Sequence, residues 1–331
     1  MRQLVLLGEA ESKRTIYFEK ACRSLGITPR RQTLETFDGA AEPCLIKIDP
    51  PGSTNWDIEQ QAAELLAYHE QLKRLSQSGQ TFYNEPEAIW TALDKRRCKA
   101  LLQAQGLAVT EMWPEVITQA AELREVMAAH HWPGAFVKPR FSSAAAGVLA
   151  YRFAPKSGRE VLYTCAVLKD GRLYNTKTLR RLEDKDEIAA MLTRVLAGET
   201  VVERWHPKAQ HQGRSYDLRA VVQFGQLDYL VARASRGPIT NLQLNNGAVP
   251  VGELGLAPEV LEAVADVCVQ ALEALPGLRY AGLDVLLDEQ TLTPRIIEVN
   301  GQGDLIYQDI FADNRIYSRQ AAYFLQMRGG V

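Results

Sequence analysis

Apolar residues occur in this chain in short bursts separated by helical stretches, and the bursts come in two styles. Near the N-terminus they are continuous, at 3–7 and in Cys44-Leu-Ile-Lys-Ile-Asp49, as strands buried on both faces require. Helical patterns alternate with them near 12–25 and 56–76, and the second carries Ile58, Ala62, Leu65, Leu66, Leu72 and Leu75 close to a 3.6-residue period. Pro50-Pro-Gly-Ser-Thr54 breaks the chain between strand and helix. Alternation of this kind predicts a small α/β unit over residues 1–82.

Beyond Tyr83-Asn-Glu-Pro86 the pattern changes. Asp94 is placed to cap a helix carrying Lys95, Lys99, Ala100, Leu101 and Leu102 and stopping at Gly106. A strand at 110–113, a helix near 118–129 and a strand at 135–139 follow. Several β runs lie between 148 and 181, with a hairpin turning at Asp170-Gly171. A helix near 185–196 ends at Gly198. The last third reads as a strand at 200–205, an irregular basic loop, paired strands at 215–224 and 227–233, and a polar loop at 236–255. A helix over 258–275, a hairpin (280–287 with 295–300) and a helix near 313–328 complete it. Residues 83–199 and 200–331 are therefore expected as two further α+β units.

The hairpin carries the sharpest chemistry. If its loop is centred on Thr291, Asp284 lies opposite Glu298, and strand alternation puts Asn300 on the same face. Leu283, Val285, Ile297 and Val299 would fill the other face. Carboxylates facing each other about 5 Å apart repel, whereas an all-oxygen set of Asp, Glu and Asn suits Mg²⁺, with phosphate oxygens completing its octahedron. The alternative is an exposed edge hairpin whose two acids never meet.

Composition removes several classes. The 331 residues are 46% hydrophobic and 24% charged, with a net charge of −2, so nothing pulls the chain toward nucleic acid or an anionic membrane. No apolar run approaches the roughly 20 residues that span a bilayer, and the first run is too quickly followed by Glu9, Glu11 and Lys13 to read as a secretory signal. Five scattered cysteines suggest reduced thiols and a cytoplasmic setting. Walker A, G-x-G-x-x-G and G-x-S-x-G signatures are absent.

Other residues have two readings each. Lys138 ends an apolar strand before a small-residue loop containing Ser142 and Ser143, and either holds a phosphate alongside loop amides or snorkels at a strand end. Lys95, just after a helix cap, is a phosphate contact or a solvated lysine. Glu203-Arg204-Trp205-His206 pairs a strand backbone with an indole, which suits adenine, unless Trp205 is a core anchor. Asp217, Arg219 and Arg233 on neighbouring strands surround a polyphosphate or form an ion-pair ladder of little value. Asn241 adds an uncharged donor nearby.

Taken in order, Lys95, Lys138, Glu203 to His206, Asp217-Leu-Arg219, Arg233, Asn241, Asp284 and Glu298-Val-Asn300 resemble the ATP-grasp superfamily. The similarity is greatest to its carboxylate–amine ligases, such as the ribosomal-protein glutamate ligases and D-alanine–D-alanine ligase. That resemblance implies a pre-ATP-grasp α/β domain followed by two α+β lobes clasping ATP. It implies Lys95 and Lys138 on the α/β-phosphates, residues 203–206 at adenine, Asp217 near ribose and Arg233 at the γ-phosphate with Asn241 nearby. Asp284, Glu298 and Asn300 would hold two Mg²⁺ ions, and Arg219 would steady the reaction intermediate. Gly282 stands where D-alanine ligases carry an arginine, which favours other relatives. Lys177, Arg180 and Arg181, in a hairpin over the site, would meet an acidic peptide or amino acid. The expected activity is an ADP-forming ligase acting on small-molecule or peptide carboxylates and amines. A kinase on the same fold and a silent nucleotide-binding protein are the alternatives.

Overall fold

The computed structural model describes residues 3–37, 39, 42–52, 56–143, 145–241 and 246–329. Of the expected segments, Ser53, Thr54 and Ala144 lie outside the described residues. The chain opens with β1 (Gln3–Leu7), α1 (Lys13–Ser24), β2 (Arg30–Gln32), β3 (Cys44–Ile48), α2 (Ile58–Ser76) and β4 (Thr81–Phe82). The four strands form a parallel sheet in the order β2-β1-β3-β4. Its central strands β1 and β3 are buried on both faces because each face is covered. Leu4 and Leu6 pack on Phe18, Ala21 and Cys22 of α1, while Val5 and Leu7 pack with Tyr68, Leu72 and Leu75 of α2. Asp57 starts α2 by accepting from Glu59 N and Gln60 N.

Next come α3 (Pro86–Leu93), α4 (Lys95–Ala104) and α5 (Ala120–Ala129). Asp94 caps α4 as expected, accepting from Arg96 N and Arg97 N at 3.1 Å each. Nothing in the sequence reading announced α3. Ala88, Ile89, Trp90 and Ala92 are all buried, so this helix has no polar face from which a period could be read. The strand expected at 110–113 is instead a bridge between two sheets. Thr110 N donates to Ile296 O at 3.0 Å, and Trp113 N donates to Val202 O at 2.8 Å.

A five-stranded antiparallel sheet follows, ordered β8-β7-β6-β5-β9, from β5 (Ala135–Pro139), β6 (Leu149–Ala154), β7 (Arg159–Lys169), β8 (Arg172–Leu182) and β9 (Thr200–Arg204). Helix α6 (Lys185–Leu196) and α5 share its core. Asp170 and Gly171 both have positive φ, 49° and 75°, as a two-residue hairpin turn demands.

The remaining strands are β10 (Gln210–His211), β11 (Arg214–Gln223), β12 (Gln226–Ser235), β13 (Gly247–Pro250), β14 (Tyr280–Leu287) and β15 (Pro294–Asn300). They form an antiparallel sheet ordered β13-β12-β11-β14-β15, with β10 on β11, backed by α7 (Pro258–Glu273). Short α8 (Tyr307–Ile310) and α9 (Arg315–Gly329) return the chain to the first sheet, where α9 packs beside α1. The expected hairpin register holds at Asp284↔Glu298 and Leu283↔Val299, then a bulge shifts it to Val285↔Ile296. The extra residue corrects one expectation. Ile296, 1% exposed, joins Val299 in the core, and Ile297 faces the cleft described below. Strand β13 was hidden inside the polar loop, being a four-residue edge. No helix among the described residues is long and apolar enough to cross a membrane.

Candidate active site

A cleft opens between the second and third sheets, and most of the predicted residues line it: Lys95, Lys138, Ser142, Ser143, Glu203, Arg204, His206, Asp217, Arg219, Arg233, Asn241, Asp284, Glu298 and Asn300. Lys138 is delivered by the end of β5, and its Nζ lies 3.0 Å from Glu203 Oε2. Lys95 Nζ, from the first turn of α4, donates to Ser142 O at 2.8 Å and sits 3.4 Å from Glu298 Oε1. Glu203 is 2% exposed. Burial pushes its carboxyl up, but Lys138 and Lys99 pull it down to about 2.

Lys99 was named as a helix residue and not as a site residue. It follows Lys95 by four positions, so both project from one face of α4, and that spacing was the available signal. Its Nζ lies 2.7 Å from Glu203 Oε1. Burial lowers its pKa to about 8 despite the opposing pull of Glu203. Lys208 was missed as well, since nothing marked it within its basic loop. It reaches Asp217 Oδ2 at 3.1 Å and Thr240 Oγ1 at 2.8 Å, and burial lowers it too.

The arginines occupy the centre. Arg233 Nε is 2.7 Å from Asp217 Oδ1, and its Nη2 is 3.0 Å from Asp284 Oδ2. Burial opposes the charge on Arg233, yet Asp217 and Asp284 raise its pKa. Arg219 lies opposite Asp284 across β11 and β14. Two glycines seat its guanidinium: a Cβ on Gly282 would come within 2.6 Å of Arg219 Nη1, and one on Gly303 within 2.8 Å. The end of Arg219 thus fills the space beside Gly282 from the neighbouring strand. Six cations (Lys95, Lys99, Lys138, Lys208, Arg219, Arg233) share four carboxylates (Glu203, Asp217, Asp284, Glu298). Such a surplus draws in a polyanion.

The donor set fits a divalent cation. Asp284 and Glu298 are paired in register, Asn300 pairs with Gly282, and all three side chains border the cleft. Asp284 Oδ1 is 2.9 Å from Arg219 Nε without hydrogen-bond geometry, which leaves a buried carboxylate oxygen with no hydrogen-bond partner among the described residues. No three His, Cys, Asp or Glu side chains converge among the described residues. Two carboxylates and an amide match the sparse protein ligation of Mg²⁺ beside phosphate, not a dedicated cage.

Beside the charges lies an apolar slot of Phe136, Val148, Ile239, Leu286 and the bulged Ile297. Leu286 shares the strand face of Asp284, so its position was readable. Trp205 corrects another expectation: it does not line the cleft. Strand β9 ends at Arg204, alternation stops there, and the indole packs under Arg152 (4.1 Å) and against Phe136 (5.3 Å). The neighbouring backbone donors are also engaged, Arg204 N with Glu111 O and Trp205 N with Gly134 O. His206 remains at the rim, and burial, reinforced by Arg295 and Arg204, lowers its pKa. Lys177, Arg180 and Arg181 do not enter the cleft. Lys177 Nζ lies 5.6 Å from the Trp56 ring, Arg180 pairs with Glu187 at 2.7 Å, and Arg181 pairs with Glu183 at 2.5 Å. Water-accessible room inside the cleft is about 130 Å³, below the roughly 300–1,000 Å³ of ligand pockets.

No protein-family model and no curated protein matches the sequence. Solved structures match it over nearly its whole length. The ATP-grasp ligase PsnB, complexed with a phosphomimetic variant of minimal precursor, Mg and ADP, is 17% identical over 98% of this chain and 98% of that one, with a TM-score of 0.60. D-cycloserine synthetase DcsG is 16% identical over 97% of this chain and 99% of that one, at 0.63. Macrocyclase MdnC from Microcystis aeruginosa MRC, bound with precursor peptide MdnA, is 11% identical over 98% of this chain and 100% of that one, also at 0.63. With a parallel sheet leading into two antiparallel sheets that enclose a cationic cleft, the chain has the ATP-grasp fold.

Proposed function

We propose that this protein is an ATP-dependent ligase joining a carboxylate to an amine, with release of ADP and phosphate. The observation that carries the reading is the cleft around which six cations share four carboxylates, one of them with a buried oxygen that accepts no hydrogen bond among the described residues. The solved ligase with Mg and ADP supports it. The apolar slot at Ile297, with His206 at its rim, takes adenine in place of Trp205. Asp217 approaches ribose, Lys95 and Lys138 hold the α/β-phosphates with the Ser142–Ser143 loop, and Arg233 meets the γ-phosphate beside Asn241. Asp284, Glu298 and Asn300 hold Mg²⁺. The chemistry a bound Mg²⁺ would supply there is neutralisation of phosphate charge.

Lys95, Lys138 and Arg233 exchange their carboxylate partners for phosphate oxygens and align the γ-phosphoryl with a substrate carboxylate. The P–O bond to ADP breaks as the acyl phosphate forms. An amine then attacks the carbonyl, phosphate leaves with the bonding electrons, and the amine proton passes to solvent. Arg219, seated by Gly282 and Gly303, faces the negative charge that develops on the tetrahedral oxygen. The test is ADP release that depends on an added carboxylate and is diverted to a hydroxamate by hydroxylamine. Asp284→Asn is expected to cut turnover by about a thousandfold. Full turnover in that variant would refute the metal assignment, and labelled phosphate appearing in a stable ester would make the enzyme a kinase.

A further inference from the structure

Behind the segment that closes the cleft lies a second depression, and its character is different. Ser235 to Gly237 line it, while the next residues, Pro238 to Asn241, line the cleft. Four arginines border it: Arg180 and Arg181 from β8, Arg214 at the start of β11, and Arg236 just after β12. None of the residues lining it is acidic. Arg180 and Arg181 have carboxylate neighbours on the rim, Glu187 and Glu183. Arg214 and Arg236 are exposed and have no ion-pair partner among the described residues. Two of the four guanidinium groups thus stand without a carboxylate partner among the described residues, and an anion in the groove would supply one.

The walls narrow the class of anion. One is β8, an edge strand of the second sheet, and the other begins at Asn246 and Gly247, where edge strand β13 starts. Edge strands offer main-chain donors and acceptors to an extended polypeptide, and arginine forks match side-chain carboxylates. A nucleic-acid strand would need stacking surfaces along its path. Tyr163 is the only aromatic residue among the described residues lining the groove.

We propose that this groove binds an acidic stretch of extended polypeptide, whose carboxylates pair with Arg180, Arg181, Arg214 and Arg236. The proposal rests on the ligase reading for its purpose, because Arg233 of the cleft and Ala234 of the groove are successive residues of β12. The groove and the cleft therefore share that strand as a common wall. Binding itself needs no turnover.

The experiment is fluorescence anisotropy with a labelled peptide of alternating Glu and Gly, titrated with the intact protein and with the Arg214→Glu/Arg236→Glu variant. Both side chains are exposed and outside the cleft. MgADP affinity, measured by calorimetry on the same samples, is expected to be equal in the two. Expected is a loss of peptide affinity of at least about tenfold in the variant, and weakening of wild-type binding as salt rises. Equal binding by the variant overturns the proposal, as does no binding by wild type at about 1 mM. Equal binding of a Lys-Gly peptide, or tighter binding of single-stranded RNA, overturns it as well. Failure of MgADP to bind either protein would sink the ligase reading while leaving the groove's peptide binding intact.

Discussion

Two buried clusters of charge can be set side by side. In the cleft, six cations share four carboxylates. At the junction between the first sheet and the loop after β15, Arg14 and Lys47 meet Asp49 and Asp304, two against two. Lys47 is 0% exposed and Asp304 1%. Gln302 adds bonds to Tyr68 and to Ile48 O, and Gln320 donates to Asp304 at 3.2 Å. Equal numbers of opposite charges leave no surplus for a ligand to neutralise, so the junction is cement between two parts of the fold. A surplus leaves the cleft unfinished. Burial is common to both; imbalance separates a binding site from a joint.

The comparison breaks most visibly at the junction. Asp304→Ala takes from Arg14 its ion-pair partner and from the buried Lys47 one of two, Asp49 remaining, and is expected to destabilise the chain by about 3 kcal/mol in a urea titration; a change under about 1 kcal/mol would erase the distinction. At the cleft the opposite holds. Lys138→Met removes one of the surplus charges while Glu203 keeps Lys99, so stability should move by less than about 1 kcal/mol. MgADP affinity should fall about 10- to 100-fold by calorimetry. A graded effect is on pH dependence. Lys99 holds its proton at about 8 in the folded chain, against roughly 10.4 unfolded. Between those values the unfolded chain carries more protons, so stability rises with pH, by at most about 1.4 kcal/mol per unit. Below pH 8 the penalty of burying the charged amine is fully present. Urea midpoints from pH 8 to 10 should show this rise in wild type relative to Lys99→Met, and parallel curves would contradict it.

Much of the fold was legible because its signals were local. The continuous runs of β1 and β3, the Asp94 cap and the Asp170-Gly171 turn each follow from a few adjacent residues. The hairpin register was legible from loop symmetry only as far as the bulge, since an extra residue leaves no mark in composition, and Ile297 changed sides for that reason. Trp205 failed where a strand ended one residue earlier than its alternation assumed. Lys99 could have been found from its four-residue spacing to Lys95. Lys208 could not, because which lysine of an irregular loop turns inward is decided by the sheets that pack around it. Arg214 and Arg236 join Arg180 and Arg181 only through the packing of two separate sheets.

The short stretch from Val109 to Trp113 has a mechanical side. Ile296 N and Thr110 N tie it to the hairpin that carries Glu298, while Trp113 N and Arg204 N tie it to the strand that carries Glu203. This strap therefore couples the two sheets that face each other across the cleft, so the carboxylates of Glu203 and Glu298 are held on backbones joined through the same short stretch.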